Sequence, residues 1–194
     1  AEPVPSGVYR IVLDPEAMTS LLGVFATVFS GETEQKGLSL LSGKMGQMVA
    51  ADCVALVDAP LMPQCFDSRP FEAEGVPSRR NVLLEKGVFQ GFLHNLKTAK
   101  KAGVESTGNA SKAGFAGAVR VSPSNLYFEK GSISLEQLLK NVGDGIVIND
   151  VSGLHAGANP VSGDFSLLAK GYTLKDGKRD KPVERITVAG NFYE

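Results

Sequence analysis

Apolar residues recur at helical spacing early in this chain. Met18, Leu21, Leu22, Phe25, Val28 and Phe29 fall at steps of three and four, as one buried helix face requires. Asp14-Pro15 predicts the start, because an aspartate side chain can cap orphan N–H groups and proline fits the first helical position. Gly31 predicts the stop. Residues 8–13, just before, read as a strand. A second helix is predicted over residues 38–48, weakened by Gly43 and Gly46. From Cys53 onward the pattern changes to short apolar or alternating runs, which read as strands. These cover residues 53–58, 79–85, 88–94, 118–122, 126–129, 145–150, 165–168, 171–175 and 185–188. Lys86-Gly87 and Asp176-Gly177 mark tight turns. Two short helices interrupt them. One spans residues 96–102 and closes at Gly103. The other opens on Ser134 and Gln137 as a capping box, buries a stripe of Leu135, Leu138, Leu139 and Val142, and ends at Gly143. Residues 106–117 read as a long irregular loop, and residues 153–166 as too glycine-rich for a helix. Hairpin-linked strands with a few helices predict an α+β fold with mainly antiparallel sheets, able to curl into a barrel.

Composition narrows the function classes. A chain of 194 residues can build one domain with a true core, or two small ones, and residues 1–194 are read as a single domain. The hydrophobic share of 43% and charged share of 21% are ordinary for a soluble protein. A net charge of -1 gives no electrostatic reason for direct nucleic-acid binding, and Lys97, Lys100 and Lys101 read as a solvated helix face. No apolar run approaches the roughly 18 residues of a membrane span, so no membrane partner is expected. The opening residues carry no signal segment. They also lack an initiator Met, so an excerpt of a longer protein is expected. Cys53 and Cys65 have no partner motif, which favours a reducing compartment, the cytoplasm by default.

The search for chemistry finds little. The two histidines, His94 and His155, lie far apart, and the chain has no HExxH pattern. His94 reads as a hydrogen-bonded or half-exposed imidazole. His155 is more suggestive, because its glycine-rich loop can line a surface, yet a lone histidine says little about catalysis. Ser152-Gly153 and Ser162-Gly163 lack the strand-elbow-helix setting of a nucleophile. Cys65 has no neighbouring base. Glu72 and Glu74 sit between prolines and read as solvated. On the residues alone, this is a binding or scaffolding domain with no visible active site.

Several ordered motifs carry a resemblance. The block Gly153-Leu154-His155-Ala156-Gly157-Ala158-Asn159-Pro160 leads through a hairpin to Pro182-Val183-Glu184-Arg185-Ile186-Thr187-Val188-Ala189-Gly190-Asn191. Upstream stand Phe71-Glu72-Ala73-Glu74-Gly75-Val76-Pro77-Ser78-Arg79-Arg80, the hairpin Leu84-Glu85-Lys86-Gly87-Val88-Phe89, and Ser106-Thr107-Gly108-Asn109. Together they resemble the C-terminal half of the TldD/PmbA family, which is linked to a two-subunit metallopeptidase. In the zinc-bearing TldD branch, a helix near the start of this half carries L-L-H-E-x-x-x-H, two histidine ligands and a glutamate that activates the zinc-bound water. The matching stretch here is Leu21-Leu22-Gly23-Val24-Phe25-Ala26-Thr27-Val28. Gly23 and Val28 replace the histidines and Val24 the glutamate. The family's cysteine ligand belongs to a tail that would follow Asn191. The chain is therefore similar to the C-terminal domain of the zinc-less branch, PmbA (also called TldE), with the family's N-terminal half and extreme C-terminal tail absent.

The resemblance implies a non-catalytic subunit of a TldD/PmbA-type peptidase complex. Its roles would be dimerisation and substrate-chamber surface for small or unfolded peptides. No catalytic or metal residue is expected in this chain, and zinc only in a TldD-like partner; a homodimer is the other expected assembly. The candidate chamber residues are Arg69, Asn109, Ser122, Asn125, His155 and Asn159, each of which also suits an ordinary turn or cap. Two other readings are an active metallopeptidase with an atypical metal site and an indirect modulator of DNA gyrase.

Overall fold

The computed structural model describes residues 4–194. In chain order the first half carries β1 (Ile11–Leu13), α1 (Pro15–Phe25), a 3-10 turn (Ala26–Phe29), α2 (Gly31–Gln35), β2 (Leu56–Asp58), β3 (Asn81–Glu85), β4 (Val88–Phe89) and α3 (Leu96–Ala102). The second half carries β5 (Ala110–Lys112), β6 (Val119–Val121), β7 (Leu126–Phe128), α4 (Leu135–Val142), β8 (Gly145–Ser152), α5 (Leu154–Gly157), β9 (Asp164–Lys175) and β10 (Lys178–Asn191). They fall into two compact units, one formed by the segment ending at Phe25 with residues 131–192, the other by residues 26–130.

The first unit is a four-stranded sheet in the order β1-β8-β9-β10. Only β1 runs parallel to its neighbour, with Ile11 opposite Ile146. The β9–β10 hairpin turns through Asp176 and Gly177, both at positive φ, 51° and 73°. A two-residue turn of that kind matches the right-handed twist of its strands, and Asp-Gly supplies it at low cost. Helix α1 starts where Asp14 Oδ1 accepts from the N–H groups of Glu16 at 3.0 Å and Ala17 at 3.2 Å. Asn149 donates to the other oxygen at 2.6 Å, so the cap also ties the helix to β8. The apolar face then buries Ala17, Leu21, Leu22 and Phe25. The Phe25 ring stacks on Phe192 at 4.6 Å between centroids and meets Phe165 at 6.3 Å.

The second unit holds an antiparallel sheet in the order β4-β3-β2-β7 and a separate β5–β6 hairpin. Leu56, Val57, Leu83 and Phe89 fill its interior, and the Phe89 ring contacts Phe29 and Phe92, with centroids 6.1 and 4.9 Å away. The fold is α+β with mostly antiparallel strands, as the sequence predicts. Both sheets have free ends and neither closes into a barrel.

Several elements differ from expectation. No helix forms over residues 38–48. Gly37, Gly43 and Gly46 take positive φ, which an α-helix forbids, and the segment instead borders β4. There Gly46 N donates to Phe89 O, Val49 N donates to Gly87 O, and Met48 bridges Val88. Gly31 begins a helix rather than ending one, because Ser30 accepts from Glu32 N as the cap of α2. Residues 153–166 do contain one helical turn, α5. Gly153 at φ 85° presents its carbonyl to the N–H groups of Ala156 and Gly157. The loop 106–117 contains β5, and the two runs at 165–168 and 171–175 are one continuous strand, β9. In α4, Ser134 caps as predicted, while the Gln137 amide turns to Asn141 instead. Its apolar stripe is split: Leu139 and Val142 pack on Val12, Val147 and Leu174, but Leu135 is 66% exposed and Leu138 37%. A stripe is buried only as far as a partner surface extends.

Two truncations test this packing. Phe25→Ala should cost about 3–5 kcal/mol in urea unfolding, the usual loss for a buried aromatic. Leu135→Ala should change stability by no more than about 0.5 kcal/mol. Equal losses would overturn the burial assigned to α4.

Candidate functional site

The most polar interior region lies in the second unit, at the end of β2. The apolar run Leu56-Val57 ends in Asp58, whose side chain is wholly buried. One carboxyl oxygen accepts from Asn109 Nδ2 at 2.6 Å. The other accepts from Ser124 N at 2.6 Å and Ser124 Oγ at 2.8 Å. Asn109, also wholly buried, uses its Oδ1 to accept from Thr107 Oγ1 at 2.7 Å and Asn81 Nδ2 at 3.1 Å. A buried carboxyl with so many donors meets the requirement that buried polar groups be satisfied. It clamps β2, β3 and the strands on either side of residues 122–125 into one frame.

That frame carries the loop of residues 60–69. Arg69 N donates to Pro60 O at 2.8 Å and closes the neck. Asn125 grips the loop from the frame: its Oδ1 accepts from Asp67 N at 3.1 Å, and its Nδ2 donates to Ser68 Oγ at 3.1 Å and Ala59 O at 3.2 Å. Ser122 adds its carbonyl, which accepts from Asn109 Nδ2 at 3.3 Å. Four of the six candidate residues, Arg69, Asn109, Ser122 and Asn125, thus belong to one bonded neighbourhood. Asn109 is fully used inside it, so its contribution is to position others. His155 and Asn159 lie in the other unit. His155 is exposed in α5, and Asn159 Oδ1 accepts from Val161 N at 2.9 Å and Ser162 N at 3.3 Å in a surface turn.

Asp58 escapes the sequence reading, as do its partner Ser124 and Asn81, which donates to Asn109. The available signal was an acid ending an apolar strand. Glu72 is a correction. It is 4% exposed, not solvated, because its two oxygens accept from Val76 N at 2.8 Å and Glu74 N at 3.0 Å and so close the turn around Gly75. Glu74 is half-buried and accepts from Leu96 N at 2.8 Å, where the N-terminus of α3 favours a negative group.

His94 is buried, with Nδ1 3.2 Å from Thr98 Oγ1. A Cβ added to Gly31 would stand 2.4 Å from the imidazole, so only glycine fits there. Burial holds the His94 pKa below its ordinary value, and the nearby Glu34 charge offsets this only in part.

The positions where the resemblance expects zinc ligands and a base offer no ligand. Gly23 is exposed on α1, Val24 is half-buried, and Val28 is buried in the 3-10 turn. None carries a donor atom, so these residues do not fit a zinc ion. Among the described residues, no three His, Cys, Asp or Glu side chains gather as a metal site requires. Cys53 and Cys65 are free thiols, and no described helix is long and apolar enough to cross a membrane.

Residues 6–194 match the family model described as PmbA/TldA metallopeptidase C-terminal domain. The chain belongs to the PmbA/TldD family. It is similar to the crystal structure of a candidate modulator of a DNA gyrase from Thermotoga maritima, with a TM-score of 0.91, 46% identity, and coverage of 100% of this chain and 44% of that one. TldE from Thermococcus kodakarensis gives a TM-score of 0.88 at 31% identity, covering 99% and 44% of the two chains. A metalloprotease of Methanothermobacter thermautotrophicus is 33% identical over 200 residues, all of this chain and 42% of its own length. The chain therefore spans less than half of each relative.

Two measurements check this region. Asn109→Ala leaves Asp58 short of a donor in the interior and should cost about 1–3 kcal/mol. For His94, the folded pKa lies below the unfolded one, so the unfolded state binds the proton first. Stability should be full above about pH 6.5 and fall as pH drops toward the folded value. His94→Gln should flatten that acid limb in urea titrations; an unchanged limb would assign it to other groups.

Proposed function

We propose that this chain acts as the metal-free subunit of a TldD/PmbA-type peptidase complex, furnishing dimerisation and substrate-chamber surface for small or unfolded peptides. The carrying observation is that Gly23, Val24 and Val28 occupy the positions where the resemblance expects two zinc ligands and a general base. An apolar side chain can neither bind zinc nor move a proton. The similarity to TldE supports the same branch. Zinc then belongs to a TldD-like partner, and the two free thiols suit work in the cytoplasm. Peptide would meet the loop held by Asn125, or add as a strand to the edge strand β10.

The test is co-purification with a zinc-bearing TldD-like subunit, followed by peptide hydrolysis. Co-elution, with cleavage that requires both chains and zinc in the partner alone, is the expected result. Two chains that elute separately, with unaltered cleavage by the partner, would overturn the proposal. Zinc bound one to one by the isolated chain would favour the reading as a metallopeptidase with an atypical site.

A further inference from the structure

The least compensated charge in the described residues is Arg69. Its Nε and Nη2 are both sealed from solvent and meet no acceptor among the described residues. No carboxylate there lies within ion-pair distance, although Asp67 is only two residues away. A guanidinium keeps its proton in any protein setting, so burial cannot neutralise it as it can a histidine. The two unmet nitrogens are also a particular pair. Nε–H and Nη2–H point the same way along one edge of the guanidinium, and together they form the side-on fork that matches the two oxygens of a carboxylate.

A second unmet group lies on the same piece of chain. Ser78 is 7% exposed and its hydroxyl has no partner among the described residues. Ser78 N donates to Pro70 O at 3.0 Å, so Ser78 sits across a short ribbon from the residue that follows Arg69. Buried polar groups without partners are uncommon, and two on one ribbon point to a ligand. The loop of residues 60–69 ends at Arg69 on a narrow neck, where Arg69 N donates to Pro60 O. Its Leu61 and Phe66 are 58% and 102% exposed, and Asn125 supplies its polar attachments. Neutral hydrogen bonds of that sort are weak enough to exchange.

We propose that Arg69 is a carboxylate-binding subsite, reached when the loop of residues 60–69 lifts, and that it takes the C-terminal carboxylate of a peptide. This rests on the peptide-binding reading above. It narrows the ligand to peptides with a free C-terminus and makes Arg69 a specificity residue. A monoatomic anion would have to share one acceptor between two parallel donors, whereas a carboxylate gives each its own oxygen.

The experiment titrates the purified chain with a fluorescent octapeptide as free acid and as C-terminal amide. In parallel, the Arg69 side-chain Nε resonance is followed during titration with acetate. The free acid should bind about tenfold more tightly than the amide, and acetate should shift the Nε resonance. Arg69→Lys keeps the charge but loses the fork, and should narrow the preference for the acid. Equal affinity of the wild type for acid and amide, with a silent Nε resonance, would overturn the subsite while leaving peptide binding intact. An acetate shift with neither peptide bound would uphold the fork and remove the peptide reading. The Nε readout uses the wild-type chain, so it stands even if Arg69→Lys fails to fold.

Discussion

The carboxyl of Asp58 is the constraint on which the second unit depends. It sits at the end of β2 with no solvent contact, and it joins Asn109 and Ser124, 51 and 66 residues away in sequence. Burying a carboxyl is costly unless its lone pairs are met. Here both oxygens are met, and the donors come from segments with little else to align them. β5, β6 and β7 are three residues each, too short for strand pairing alone to set their register firmly. The polar bracket is directional where apolar packing is not, so it fixes the register of short strands that hydrophobic burial would only gather.

The same bracket explains why a surface loop can be both exposed and placed. Residues 60–69 leave the sheet immediately after Asp58 and Ala59 and return at Arg69, whose N–H closes on Pro60. Asn125 follows Ser124 directly, so the residue that completes the Asp58 cage is covalently next to the one that holds the loop. The frame thus fixes the loop's base, while Leu61 beside the neck and Phe66 farther along meet solvent. A loop whose roots are fixed loses less entropy on ordering than one that is unfixed throughout.

Much of the fold was legible in the sequence because the signals were local. Asp14-Pro15, Lys86-Gly87, Gly103, Ser134 and Asp176-Gly177 act within a few residues of themselves, and each does in the structure what local chemistry predicts. One misreading arose where a distant partner decides, and another within a single turn. Residues 38–48 have helix-like apolar spacing, but their glycines adopt positive φ and the backbone spends its hydrogen bonds on β4. Glu72 looked solvated between prolines, yet its own turn wraps both oxygens. Arg69, Asn109, Ser122 and Asn125 were chosen as loop residues and lie near one another in the structure, whereas Asp58 hid inside an apolar run because a pattern of burial does not distinguish a buried acid from a strand end.

On the proposed reading, the division of labour follows from what the chain keeps and what it lacks. With Gly23, Val24 and Val28 at the metal positions, it can lower a reaction barrier only through where it holds the substrate. Affinity that is equal in ground and transition states saturates the complex without speeding the chemical step. Orientation is different: fixing a peptide at its carboxylate end removes its freedom to slide past the partner's metal, and lost translational and rotational freedom is a large share of many barriers. A point charge would hold a peptide end loosely, while a planar fork such as that of Arg69 sets both distance and angle. Loss of ligating chemistry and gain of directional binding are therefore compatible changes in one fold, because the frame around Asp58 supports the second without drawing on the helix that would have carried the first.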